Sequence, residues 1–138
     1  FEEFGEAGFR ELERQVVAEL ARFQDLVLAL GGGTVLRDDN VSELLLTGVL
    51  VELRADPATL AQRLGAGDQI ADRPLLDGDD PEAALRHRYA ERAGRYAEVA
   101  DVTIDAERPV DEVVEAILQW AMSVGDVLTP SEHEQVMT

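Results

Sequence analysis

Three short runs of strand character, at residues 26–30, 49–53 and 101–105, alternate with longer stretches of helical period, and this alternation restricts the fold more than any other feature. A strand that is apolar on both faces has to be covered on both, and a chain that returns through a helix between strands lays them down in parallel. The expected fold class is therefore α/β, a parallel sheet flanked by helices.

The helices can be placed from the same periodicity. Between residues 5 and 22, Phe9, Leu12, Val16 and Leu20 recur at spacings of three and four and are expected to form the buried face of an amphipathic helix. Residues 26–30 read as a fully buried strand that ends in the flexible Gly31-Gly32-Gly33. After the strand at 49–53, Asp56-Pro57 supplies an N-cap and a first-turn proline for a helix reaching about Leu64. Residues 65–80 are rich in glycine and aspartate and read as a long mobile loop around Arg73-Pro74-Leu75-Leu76. Pro81 opens a helix carrying Leu85, Tyr89 and Tyr96, and Pro109 opens a last one with Val113, Val114, Ile117, Leu118 and Ala121 as its buried face. Residues 123–138 are polar without period and are expected to be a loose tail or linker, which divides the chain into a domain at 1–122 and a tail at 123–138.

Composition narrows the function. The chain has 138 residues, 46% of them hydrophobic, enough for one core. Its formal charge of −17, from 29 acids against 12 bases, repels nucleic acid and anionic membrane surfaces, and no apolar run is long enough to span a bilayer. A cytoplasmic location is expected. All the bases are arginine, and with no cysteine there is no disulfide, zinc knuckle or thiol catalysis. The chain opens at Phe1, in residues that already read as helix, so it is expected to be cut from something longer.

In an open parallel sheet, ligands bind beyond the carboxyl ends of the strands, where Gly31-Gly32-Gly33 is expected to lie. Three glycines let backbone N–H groups approach a hydroxyl or anion, and they also occur in plain tight turns. Arg10 and Arg92 are expected to converge above them and would suit a small carboxylate, although arginines among so many acids also pair at the surface. Glu13, one turn beyond Arg10, either orients that guanidinium or forms an ordinary surface pair. Arg73, in a loop with a stiffening proline and two anchoring leucines, has the makings of a lid over a phosphate. His87 and His133 read as solvated, without an acidic or serine partner at an informative spacing, and no metal site is expected. Trp120 and Met122 read as core or interface.

Gly5-Glu6-Ala7-Gly8-Phe9-Arg10-Glu11-Leu12-Glu13, the triple glycine with Thr34-Val35-Leu36, Arg73-Pro74-Leu75-Leu76, and Arg92 ahead of Tyr96-Ala97-Glu98-Val99-Ala100-Asp101 resemble, in that order, the shikimate kinases. The resemblance runs from Phe1 to about Ala121. It implies a nucleoside-monophosphate-kinase-like fold and transfer of the ATP γ-phosphoryl group, with Mg2+, to the 3-hydroxyl of shikimate in aromatic amino-acid biosynthesis. By position it implies that Arg10 and Arg92 hold the shikimate carboxylate and that Gly32 and Gly33 meet the ring hydroxyls. Glu13 would buttress the pocket, Arg73 would contact ATP phosphates during transfer, and Arg108 would lie against the adenine.

Two departures stand out. Where the family usually has a proline and a leucine between Arg92 and the tyrosine, this chain has Gly94 and Arg95. The family's first strand and phosphate-binding loop precede the point matching Phe1, and no Gly-x-x-x-x-Gly-Lys pattern is present, so the chain alone is expected to be inactive and marginally stable. The alternatives are a non-catalytic shikimate-binding module and a related small-molecule kinase of the gluconate type; indifference of ligand binding to Arg10→Ala would favour the latter. Expected partners are shikimate and ATP, and the tail leaves room for fusion to another shikimate-pathway enzyme.

Overall fold

The computed structural model describes residues 5–65, 80–125 and 127–137, with the side chains of His133 and Met137 outside that description. In chain order the elements are α1 (Gly5–Leu20), a 3-10 turn (Thr34–Leu36), α2 (Asp38–Thr47), β1 (Val51–Arg54), α3 (Pro57–Gly65), α4 (Pro81–Val99), β2 (Val102–Asp105), α5 (Val110–Ser123) and α6 (Pro130–Met137). The two strands pair in parallel, with Val51 opposite Val102 and Arg54 opposite Asp105, and α3 and α4 lie in the connection between them. Asp101 fastens the start of this ladder: its N–H donates to the Leu50 carbonyl at 2.8 Å and its carboxylate accepts from the Leu50 N–H at 2.7 Å. The α/β character read from the sequence is the observed one.

Two apolar clusters hold the elements. Val17, Val35, Val41, Leu44 and Leu50 join α1, the 3-10 turn, α2 and the entry to β1, with Tyr96 and Val99 of α4 packed against them. Ala55, Ile104, Ala106 and Val113 join the sheet to α5, with Leu60 of α3 alongside. Burial of a valine- or leucine-sized side chain contributes about 1.5–3 kcal/mol, so the first cluster fixes the frame on which the glycine loop stands.

Several expectations are corrected. Residues 26–30 form no strand; Val27 is fully exposed, and strand pairing needs a hydrogen-bonded neighbour that none of the described residues supplies there. On α1, Phe9, Leu12 and Val16 are exposed, and the helix packs instead through Val17, because the surface offered by α2 and the 3-10 turn meets the neighbouring stripe. Val114 of α5 is likewise exposed, while Val113 and Ala121 carry the burial. The tail is not wholly loose: Thr129 caps α6, its N–H and hydroxyl donating to Glu132 at 2.8 Å while the Glu132 N–H returns a bond of 3.3 Å, a capping box with Pro130 in the first turn. The helices α3 and α4 begin where the prolines put them, and Asp80 caps α4 by accepting from the Ala83 N–H at 3.1 Å. None of the described helices is long and apolar enough to cross a membrane.

The start of α3 is held from a distance. Glu107, after β2, accepts from the Asp56 N–H and the Thr59 hydroxyl, both at 2.6 Å. These two bonds, the Asp56 one foremost, hold the Glu107 carboxyl below the usual carboxylate range. A group whose folded pKa is depressed contributes stability above its unfolded value, about 4.3 for glutamate, and that contribution is lost as pH falls through the folded value. Glu107→Gln should therefore unfold at a lower temperature than the parent at neutral pH, and the gap should close on acidification below about pH 4. Thermal unfolding at stepped pH measures this; a gap independent of pH would show that the carboxylate charge is not what holds α3.

Candidate functional site

Arg10 and Glu13 lie one turn apart on α1, and their side chains meet at 3.0 Å between Nη1 and Oε1, with 18% and 13% exposure. The second Glu13 oxygen accepts from the buried Thr34 hydroxyl at 2.9 Å. The Thr34 carbonyl in turn accepts from the Asn40 amide at 2.9 Å, and Asn40 is 1% exposed, the most deeply buried among the described residues. One carboxylate thus ties α1 to the turn that follows the glycines. It is also the ion-pair partner of Arg10.

The glycine loop is shaped by what lies against it. A Cβ on Gly33 would sit 2.5–2.7 Å from the Arg10 guanidinium, and one on Gly32 would sit 2.9 Å from Arg92 Nη1 and 3.1 Å from the Tyr96 hydroxyl. Neither position accepts a side chain without displacing an arginine. None of the three has a positive φ; glycine is needed here for room, and a left-handed backbone is not involved. The carbonyl oxygens of Gly31, Gly32 and Gly33 accept from the Thr34 N–H, the Tyr96 hydroxyl and the Leu36 N–H respectively. Backbone N–H groups are what the loop has left to offer a ligand.

The structure brings Arg10 against Gly33 and Arg92 against Gly32, with Glu13 paired to Arg10. The two arginines differ in one respect. Arg10 is paired to Glu13, whereas half-buried Arg92 has no ion-pair partner among the described residues. With 29 acids in the chain, other arginines find carboxylates readily: Arg14 with Glu11, Arg54 with Glu52, Arg86 with Glu82, Arg95 with Asp38.

The other candidates lie elsewhere. Arg108 is exposed in the β2–α5 connection, its Nε 3.4 Å from the Asp105 carbonyl. Arg73, with Pro74, Leu75 and Leu76, falls outside the described residues. His87 is solvated as expected, at 78% exposure, but it does have an acidic partner that the sequence reading passed over, Glu91 one turn on at 3.0 Å. Among the described residues, no group of three or more histidines or acids is placed to hold a metal ion, and the chain contains no lysine. Thr34, Asn40, Tyr96 and Arg95 went unassigned in the sequence reading. Thr34 and Tyr96 stood in the motifs without a role of their own and Arg95 as a departure from a pattern, while Asn40 carried no signal.

A family model described as "Shikimate kinase" matches residues 1–122. A shikimate kinase of Burkholderia pseudomallei is 41% identical over 131 residues, which is 94% of this chain and 70% of that protein. Among solved structures, the shikimate kinase of Acinetobacter baumannii in complex with shikimate superposes with a TM-score of 0.81 at 36% identity, over 89% of this chain and 68% of the other. The shikimate kinase of Bacteroides thetaiotaomicron superposes with a TM-score of 0.75 at 32% identity, over 87% of this chain and 71% of the other.

Proposed function

The chain belongs to the shikimate kinase family, and from that premise we propose that its described residues form the acceptor side of the phosphoryl transfer, with Arg10 and Arg92 gripping the shikimate carboxylate. The observation that carries this reading is Arg92, directed at the glycine backbone beside a second arginine and without an acidic partner among the described residues of a chain of charge −17. Two guanidiniums against the single Glu13 carboxylate leave the pocket with one positive charge in excess. That balance suits one carboxylate, which arginine grips with paired, charge-assisted hydrogen bonds. The N–H groups of Gly32 and Gly33, with their carbonyls otherwise engaged, would meet the ring hydroxyls.

The family uses ATP and Mg2+, and the described residues do not complete a site for either. They supply neither a metal-ligand cluster nor a lysine, and no Gly-x-x-x-x-Gly-Lys loop is encoded in these 138 residues. We take phosphoryl transfer to need donor-side groups beyond those described, so these residues bind and orient the acceptor without transferring to it themselves. Arg73 would act over the phosphates and Arg108 beside the adenine.

Calorimetric titration with shikimate and with its uncharged methyl ester tests the carboxylate grip. The acid should bind the more tightly, and Arg92→Gln should cut its affinity about tenfold while sparing the ester, the scale of one charge-assisted hydrogen bond. Equal affinity for acid and ester would overturn the reading.

A further inference from the structure

Arg95 stands three residues after Arg92 and one before Tyr96 on α4. Its Nε donates to the Val35 carbonyl at 2.8 Å and its Nη2 to the Asp38 carboxylate at 2.6 Å, while Nη1 lies 3.4 Å from Glu98. The side chain is 20% exposed although Asp38 is 93% exposed, so the guanidinium is laid across the surface between α4 and the turn after the glycines. The next residue, Tyr96, bonds the Gly32 carbonyl. Two consecutive residues of α4 therefore clasp the loop on either side of Gly33 and Thr34.

The clasp matters because of what precedes it. Gly94 is a weak helix former, costing about 1 kcal/mol relative to alanine, and a Cβ there would meet nothing within 4 Å, so space does not demand the glycine. It stands between Arg92 and Tyr96 in the unbroken helix α4, where its low helix propensity contributes little to holding the turn and the rotation of the helix decides whether Arg92 faces the loop. We propose that Arg95 is a positioning residue: by bonding Val35 and Asp38 it holds α4 in the rotation that aims Arg92 at the ligand carboxylate. This inference rests on the carboxylate grip proposed above.

The test uses the full-length protein and the same two ligands, shikimate and its methyl ester, titrated into the parent, Arg95→Leu, Arg95→Lys and Asp38→Asn. Arg95→Leu should weaken the acid about tenfold and the ester less than about twofold, because only the carboxylate needs Arg92 aimed. Arg95→Lys, able to keep one of the two bonds, should fall between the leucine variant and the parent. Asp38→Asn, an exposed change that leaves the Val35 bond intact, should give a smaller loss of the same acid-selective kind, and it carries the comparison if the leucine variant does not fold. Equal weakening of acid and ester would make Arg95 a general packing residue and overturn the proposal, as would affinities that do not change. A parent indifferent to the carboxylate charge would bring down the grip itself, and the role of Arg95 with it.

Discussion

Gly33→Ala should unfold at or slightly above the parent's temperature and yet bind shikimate about ten- to a hundredfold more weakly. The backbone at Gly33, φ −95° and ψ −6°, is one that alanine adopts without strain, and replacing glycine at such a site restricts the unfolded chain and stabilises by about 0.4–1 kcal/mol. The new methyl group would lie within 2.7 Å of the Arg10 guanidinium. A guanidinium ends a flexible chain, so it yields at little cost to folding. Yielding moves it out of the place where the carboxylate is to be gripped, and one charge-assisted bond to the ligand, about 1.5–3 kcal/mol, goes with it.

The neighbouring glycines provide the scale. A Cβ on Gly31 would meet Thr34 Oγ1 at 3.6 Å and Glu13 Oε2 at 3.7 Å, ordinary contact, so Gly31→Ala should change binding little. Gly32→Ala presses on Arg92 at 2.9 Å and should fall between the two. Titration calorimetry and thermal unfolding on the three variants give the order. A loss at Gly31 as large as at Gly33 would mean that the loop's flexibility matters and its room for arginines does not.

That series also marks where sequence reading reached its limit. A run of three glycines fitted a ligand loop or a plain tight turn, and whether glycine served conformation or space depended on Arg10 and Arg92, 23 and 60 residues from the glycines they lie against. The pairing of Arg10 with Glu13 was legible because a helix brings residues three apart together. The bond from Thr34 to Glu13 and the burial of Asn40 were not, since both depend on how the turn packs against α1. Periodicity failed in a particular way. It found the apolar stripe of Phe9, Leu12 and Val16, but a stripe does not say which neighbour will cover it, and Val17 beside it meets the core. The run at 26–30 likewise has strand composition, while a strand is a relation between two segments. At the other end, Thr129-Pro130-Ser131-Glu132 is a readable capping signature, outweighed in the sequence reading by the polarity around it.

Glu13→Gln should fail on both counts at which Gly33→Ala is expected to divide, losing about 1–3 kcal/mol of stability together with ten- to a hundredfold in shikimate affinity. The carboxylate accepts from Arg10 with one oxygen and from Thr34 with the other, and the Thr34 hydroxyl is buried. An amide has one acceptor oxygen and one donor nitrogen, so glutamine can satisfy Arg10 or keep the bond from Thr34, and its NH2 faces a donor at the other position unless the threonine hydroxyl turns to accept. Removing the charge also takes away the carboxylate that offsets one of the two guanidiniums lying against adjacent glycines, and uncompensated like charges push each other away from the common point the ligand needs. Thr34→Val separates the two duties of Glu13. It deletes the hydroxyl and leaves the Arg10 pair, so it should cost stability alone, whereas Glu13→Gln costs both. Denaturant unfolding and titration calorimetry on the two variants decide between them: full shikimate affinity in Glu13→Gln would mean that Arg10 is aimed by the packing of the glycine loop and needs no carboxylate behind it.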